Sequence, residues 1–328
     1  MKRVLVTGAG GFVGANLVRR LSADGHRVTA AVRPGADCWR LEAPSEGLDR
    51  LEVRPLDVAD PGAVERLVGE ARPEWAFHAA AHGAYSWQTN ARRIFAINVL
   101  GTVHLVEACR AVGCEALVHA GSSSEYGPKD HAPAEDELLA PPSPYGVAKA
   151  AATLYCRQAS QEGGMRISTL RLYSVYGPFE DPRRLFPRLV ARALRGELPP
   201  LASPAIAHDF VAAQDAVEAF LVAAEKAPGG AIYNVGSGRQ STLREIVELV
   251  RRAFGVQARP AWGSAPERAH DTATWVADPG RIREDLGWRA EVALEDGLLR
   301  MAGWLGSDPS FAERYGLREA DSLSEARR

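Results

Sequence analysis

A short apolar run, RVLVTG at residues 3–8, feeds the glycine-rich stretch TGAGGFVG at 7–14, which opens a helical pattern over 11–23. That order of strand, glycines and helix leaves few folds open. A glycine at the strand end permits a tight turn, a second lets backbone approach a pyrophosphate, and a third lets the helix lie close on the sheet. Here these are Gly8, Gly11 and Gly14, with Phe12 and Val13 between the last two. The helix start adds unpaired N–H groups and the positive end of its dipole. Strand, spacing and helix coincide, so the stretch reads as a dinucleotide site on a βαβ framework.

The alternation continues through the first half of the chain. Residues 26–33, 51–57, 74–80, 116–121 and 166–173 are further short apolar runs, and 61–71, 87–112 and 144–162 carry apolar residues at helical spacing. Strands alternating with helices imply right-handed crossovers and a mostly parallel sheet covered on both faces. The expected fold is α/β, a Rossmann-type doubly wound parallel sheet with a smaller C-terminal substrate-binding lobe. Pro178, Pro182, Pro187, Pro199, Pro200 and Pro204 mark an irregular region after Tyr173, before a helix-strand-helix pattern resumes at Ala212. The expected boundaries are a dinucleotide-binding domain over 1–172, to which 205–228 returns, and a lobe over 173–204 and 229–310. A charged, loosely held tail is expected over 311–328.

With 328 residues, 46% of them hydrophobic, the chain can bury a core of this size. Its formal charge of −2 supplies no general field for nucleic acid or an acidic membrane, so neither is an expected partner. The four cysteines (Cys38, Cys109, Cys114, Cys156) form no CxxC pair and no zinc spacing, and the histidines do not cluster, so no metal is expected. No apolar run is read as long enough to span a bilayer. Reduced thiols and the absence of a leader pattern point to the cytoplasm.

The end of the second strand bears on the cofactor. An acid there binds the ribose 2′-OH of NAD, whereas an arginine accommodates the 2′-phosphate of NADP. The position is Arg33, the next acid is Asp37, and Arg40 is a candidate second contact. A guanidinium pairs with phosphate where a carboxylate would repel it. NADP(H) is therefore the expected cofactor, with NAD the alternative.

PYGVAKA, 144–150, begins the last helical pattern of the first half. Tyr145 and Lys149 stand at i and i+4 and share one helix face. A tyrosine titrates near pH 10, and an adjacent ammonium favours its phenolate. With the glycine turn, the serine-rich strand end GSSSEYG (121–127) and this Tyr-x-x-x-Lys in order, the chain resembles the extended short-chain dehydrogenase/reductase family. Within it, the likeness is to the nucleotide-sugar epimerase, dehydratase and 4-ketoreductase group, over roughly residues 1–305.

The resemblance implies roles. Tyr145 is the proton donor and acceptor, Lys149 lowers its pKa and binds the nicotinamide ribose, and a serine polarises the sugar oxygen. LDV (56–58) and HAAA (78–81) imply cofactor contacts from Asp57, Val58, Ala79, Ala80 and Ala81, and INVLGT implies one from Asn98. A nucleotide-sugar substrate is expected against Tyr85, Ser124, Ser174 and Arg268. The family usually has Asn at the Ser174 position and Arg at the His208 position. A homodimer through the 87–112 and 144–162 helices is also implied.

GSSSEYG separates the three chemistries of the group. A 4,6-dehydratase needs acid/base carboxyl groups beside the tyrosine, because a C5 proton and a hydroxyl both move. Family dehydratases carry the acid three residues before the glycine. Counting back from Gly127, that position is Ser124, the hydroxyl position is Ser122, and Glu125 falls where an apolar residue is usual. If the segment stays extended, Glu125 points away from the side Ser124 uses. Arg33 then favours an NADPH-dependent 4-ketoreductase of a nucleotide-linked 4-keto-6-deoxyhexose. The alternative is a nucleotide-sugar 4-epimerase with retained NAD. A catalytically silent NADP sensor would tend to lack Tyr145 or Lys149, and both are present.

Overall fold

The computed structural model describes residues 1–42, 51–266 and 273–317. Ten strands form among the described residues: β1 (Arg3–Thr7), β2 (Arg27–Val32), β3 (Leu51–Pro55), β4 (Trp75–His78), β5 (Ala116–Ser122), β6 (Arg166–Leu172), β7 (Ser174–Tyr176), β8 (Ala207–Ala212), β9 (Ile232–Val235) and β10 (Gln240–Thr242). Around them lie α1 (Phe12–Ala23), α2 (Trp39–Glu42), α3 (Pro61–Ala71), α4 (Ala91–Phe95), α5 (Gly101–Ala111), α6 (Pro144–Gln161), α7 (Leu185–Ala193), α8 (Ala213–Lys226), α9 (Leu243–Phe254), α10 (Gly280–Leu286), α11 (Leu294–Gly306) and α12 (Pro309–Arg314). A π turn, Ala96–Leu100, joins α4 to α5.

Seven strands form one sheet in the order β3-β2-β1-β4-β5-β6-β9, and every pairing in it is parallel. Side chains alternate across β1 and so sort the helices. Val4 and Val6 face Leu17, Val18 and Leu21 of α1 and Phe220 of α8, while Leu5 faces Val64 of α3, Leu105 and Val106 of α5 and Cys156 of α6. Each fully buried apolar side chain of this kind contributes about 1.5–3 kcal/mol. Helix starts are fixed by residues legible in sequence: Asp60 caps α3 ahead of Pro61, and Ser143 caps α6 ahead of Pro144. A second sheet, β10-β8-β7, packs in a further core that includes Tyr176, Phe186, Leu189, Ile246, Leu298 and Met301.

Three expectations differ from the structure. β9 pairs with β6 as the seventh strand of the main sheet, so the lobe does not begin cleanly at 229. The segment after 310 is packed as far as it is described, with Phe311 5% and Tyr315 7% exposed, because their rings fill an aromatic cluster with Trp39 and Trp304. Helical residues Ala91–Ala111 are, by length and composition, apolar enough to cross a membrane, yet half of that window is buried inside the protein. Leu105 and Val106 pack in the core beneath the sheet, which accounts for the apolar run.

Helix α11 crosses β7 at Gly297, where a Cβ would lie 2.0 Å from the Tyr176 hydroxyl. Gly297→Ala is therefore expected to lower the unfolding midpoint through about 1–3 kcal/mol of overpacking, read by thermal or denaturant unfolding. An unchanged midpoint would mean that this crossing is looser than the distance implies.

Candidate functional site

The glycine turn is built from backbone alone. Gly8 has φ +69°, and a Cβ there would sit 2.5 Å from the Ala80 nitrogen. A Cβ on Gly14 would sit 2.2 Å from the Gly8 carbonyl oxygen, so the close approach is of α1 onto the turn itself. The Gly11 N–H donates to the Gly8 carbonyl at 2.9 Å, and Gly11 stands at the N-cap of α1. No side chain caps that helix and no acid occupies its first turn, so its leading N–H groups, with Phe12 and Val13, are open to a diphosphate. These residues fit the dinucleotide expected of them.

The other strand ends gather around this turn. Asp57 and Val58 follow β3, with the Asp57 carboxylate accepting the Ala59 N–H at 3.0 Å, and Ala79, Ala80 and Ala81 follow β4. Arg33 is exposed at the end of β2. Arg40 is not free for a phosphate: its Nε donates to the Phe179 carbonyl at 2.7 Å and its Nη1 to the Gly10 carbonyl at 3.3 Å. Asn98 is fully buried, and its amide is spent on one residue, accepting the His82 N–H at 2.8 Å and donating to the His82 carbonyl at 2.7 Å. It holds the 82–88 loop, whereas a direct cofactor contact was expected of it. The π turn sets it there, a distortion frequent at functional sites.

Tyr145 projects from the first turn of α6, half-buried, and hydrogen-bonds the Ser122 hydroxyl. Burial raises the phenol above its ordinary range, and the Ser122 hydroxyl and the nearby Arg184 charge pull it back. Lys149 was expected to do this, but its ammonium donates to the Ala120 carbonyl at 2.8 Å and lies 2% exposed. Burial brings Lys149 down to about 8. Beneath it, His78 is buried between Thr7 and Thr102, at 2.7 and 3.0 Å, and burial takes it down to about 3, so it is neutral.

GSSSEYG does not stay extended. Ser122 ends β5 and caps a 3₁₀ turn over Ser123–Glu125, accepting the Ser124 N–H at 3.2 Å. Ser123 turns inward, Ser124 stays partly open, and Glu125 is 0% exposed. The Glu125 carboxylate accepts the Ser122 N–H at 2.9 Å, the Thr153 hydroxyl at 3.0 Å and Arg171 Nε at 2.8 Å. The Glu125 carboxylate is thereby spent on these three partners, through a local geometry other than the extended one expected, and its charge still raises the Tyr145 phenol. Gly127 is fixed by φ +73° and by a Cβ that would sit 2.1 Å from the Ala140 carbonyl oxygen.

On the substrate side, Tyr85 stacks on Trp87 with ring centroids 4.5 Å apart and hydrogen-bonds the Asp181 carboxylate. Ser174 faces His208 at 3.4 Å, with Trp275 beside the imidazole at 6.2 Å. Arg268 lies outside the described residues. Sequence reasoning missed Glu180, Asp181, Arg183 and Arg184. Asp181 is clamped by Arg183 at 2.9 and 2.7 Å, and Arg184 lies 3.8 Å from Glu180, whose carboxyl burial pushes up to about 8. The proline-flanked PFEDPRR carried the only hint, a dense charge group in an otherwise irregular segment.

Because Glu125 balances a buried guanidinium, Glu125→Gln is expected to cost stability, about 3–5 kcal/mol, and to leave chemistry nearly intact where the chain stays folded. Thermal unfolding alongside turnover at low temperature checks this. Full stability with lost turnover would place Glu125 in the reaction.

The family model for the NAD dependent epimerase/dehydratase family matches residues 4–236. A UDP-glucose 4-epimerase of Mycolicibacterium smegmatis is 32% identical over 307 residues, 91% of this chain and 96% of that protein. A dTDP-glucose 4,6-dehydratase of Streptomyces griseus is 27% identical, covering 94% of this chain and 96% of that one. Among solved structures, a UDP-glucose 4-epimerase of Thermus thermophilus in complex with NAD aligns with a TM-score of 0.81 at 30% identity, over 93% of this chain and 99% of that one. With a Rossmann-type parallel sheet and a paired Tyr145 and Ser122 beside the glycine turn, the chain belongs to the NAD dependent epimerase/dehydratase family of nucleotide-sugar enzymes.

Proposed function

We propose that the protein is a nucleotide-sugar 4-epimerase that works with retained NAD, and that a UDP-hexose is its substrate. The observation that carries this reading is the enclosure of Glu125 by Arg171, Thr153 and the Ser122 N–H. It ties up Glu125, so that carboxylate is not available to Tyr145 and Ser122 for the elimination of water. The similarity to a UDP-glucose 4-epimerase along nearly its whole length supports the same choice.

Bound dinucleotide supplies the acceptor, and later the donor, of the hydride at C4. The Tyr145 oxygen takes the proton of the C4 hydroxyl and returns it to the C4 oxygen after the sugar has presented its other face. Ser122, already hydrogen-bonded to Tyr145, holds that same oxygen. The Lys149 ammonium, anchored on the Ala120 carbonyl, sits one helical turn on, where it binds the nicotinamide ribose. Tyr85, Ser124, Ser174 and Arg268 are assigned to the sugar nucleotide. The division into a dinucleotide unit and a substrate lobe, the homodimer and the cytoplasmic setting belong to the same reading. Exposed Phe95, Leu100, Val147 and Leu154 on the 91–111 and 144–161 helices support the dimer, and four unpaired thiols support the compartment.

A second reading is favoured by one residue. Arg33, exposed at the end of β2, suits a 2′-phosphate and so an NADPH-dependent 4-ketoreductase of a nucleotide-linked 4-keto-6-deoxyhexose. The purified chain separates the two. NAD released on denaturation, with UDP-glucose converted to UDP-galactose without added cofactor, supports the epimerase. A site filled only by added NADPH, with no C4 inversion, overturns it in favour of the reductase. In either case Tyr145→Phe is expected to lower turnover by about a hundredfold to ten-thousandfold while dinucleotide binding holds. Near-parental turnover would remove Tyr145 from the reaction.

A further inference from the structure

Three successive carbonyls, those of Pro178, Phe179 and Glu180, are each held by a side chain from a different part of the fold. Asn16 of α1 donates to Pro178 at 3.0 Å, Arg40 of α2 donates to Phe179 at 2.7 Å, and the Tyr315 hydroxyl, just beyond α12, donates to Glu180. The middle residue, Phe179, has φ +69°, a left-handed conformation that a bulky residue adopts only when its surroundings impose it. Its ring is enclosed by Trp39, Trp304 and Phe311 at 5.8, 4.8 and 5.7 Å. Arg314, the residue before Tyr315, ties this same end of α12 to the Asp37–Trp39 segment. Arg314 pairs with Asp37 at 3.0 Å and lies 4.5 Å over the Trp39 ring.

This turn leads directly into the site. Asp181, the next residue, takes the Tyr85 hydroxyl and Arg183, and the Arg183 guanidinium lies 4.3 Å over Trp87. The Arg184 N–H closes the turn on the Asp181 carbonyl at 2.9 Å, and the Arg184 guanidinium is near enough to Tyr145 to act on its phenol. The clamped carbonyls therefore fix where two groups beside the reacting sugar stand.

We propose that the C-terminal helix α12 is a strap that sets this turn, with Tyr315 a positioning residue for Asp181 and Arg184. The strap joins the Asp37–Leu41 segment to the Pro178–Glu180 turn, Arg314 holding the first and Tyr315 the second. Of the three carbonyl clamps, its hydroxyl bond is the one that comes from outside the dinucleotide unit. Losing it frees Glu180 and lets Phe179 relax toward negative φ, which carries Asp181 off Tyr85 and moves Arg184.

The test uses the full chain and Tyr315→Phe, which deletes the hydroxyl and keeps the ring among Trp39 and Trp304. Hydrogen exchange over 179–184 is expected to quicken about tenfold, while exchange in β1 and β5 stays parental. With UDP-glucose as substrate, KM is expected to rise about tenfold, with a smaller fall in kcat as Arg184 moves from Tyr145. A loss confined to structure would instead shift the unfolding midpoint and leave KM alone. Phe311→Ala, which loosens the same helix by another route, is expected to reproduce both effects. Parental exchange over 179–184 in Tyr315→Phe overturns the proposal, as does a parental KM. The KM arm rests on the epimerase reading. If the parental chain does not turn over UDP-glucose, that reading fails and the exchange arm alone decides the strap.

Discussion

The buried pair of Glu125 and Arg171 is the contact on which the catalytic end of the sheet depends. One carboxylate closes the 3₁₀ turn through the Ser122 N–H, reaches α6 through Thr153, and neutralises a guanidinium on β6. That guanidinium also donates to the Glu135 carbonyl and lies 4.5 Å over the Tyr126 ring, whose hydroxyl bonds Asn234 on β9. Strands β5, β6 and β9, the middle of α6 and the 133–135 loop thus meet at one charge pair. Taking both ions out of water is expensive, and the pair is sustained because each remaining polar atom has a partner. The Glu125 carboxylate fixes the Ser122 backbone, and the Ser122 hydroxyl in turn bonds Tyr145.

The site divides its polar residues into those that face the cleft and those that hold the backbone behind it. Ser122, Ser124, Tyr145 and Tyr85 are of the first kind. Asn98, Glu125, Arg40 and Asp209 are of the second. Asp209 shows the pattern outside the catalytic centre, since its carboxylate accepts the N–H groups of Ser237, Gly238 and Ala277 at 2.7, 2.9 and 3.0 Å. A carboxylate saturated in this way joins two segments, 237–238 and Ala277, and burial raises its pKa while those bonds pull it back. In residues of this second kind the side chain is spent on the protein's own backbone or on a buried charge partner.

The parts of the fold legible in sequence were those set by local chemistry. The run RVLVTG became β1, the span 61–71 matches α3, and Pro144 after Ser143 marked the start of α6. Glycine needs were legible at Gly8 and Gly14, where sterics leave no other residue. What stayed hidden was set by long-range partners. Arg40 looked like a phosphate ligand because nothing nearby reveals Phe179, 139 residues on, whose carbonyl it holds. Tyr315 looked like tail because its partners, Trp39 and Glu180, are far away in sequence. Asn98 was found by resemblance, but its task depends on a π turn that no side-chain pattern announces.

That π turn also has a consequence for how the chain tolerates length changes. Residues 91–111 run as one helix, but the extra residue at 96–100 offsets the two halves by about 100° of helical rotation. The offset lets Ile94 reach Gly83 beside Tyr145 while Leu105 and Val106 still meet the sheet. A single-residue deletion within the turn would restore a regular helix and preserve its length almost unchanged. It would also break the phase relation between active-site loop and core, so one of the two contacts would have to be given up.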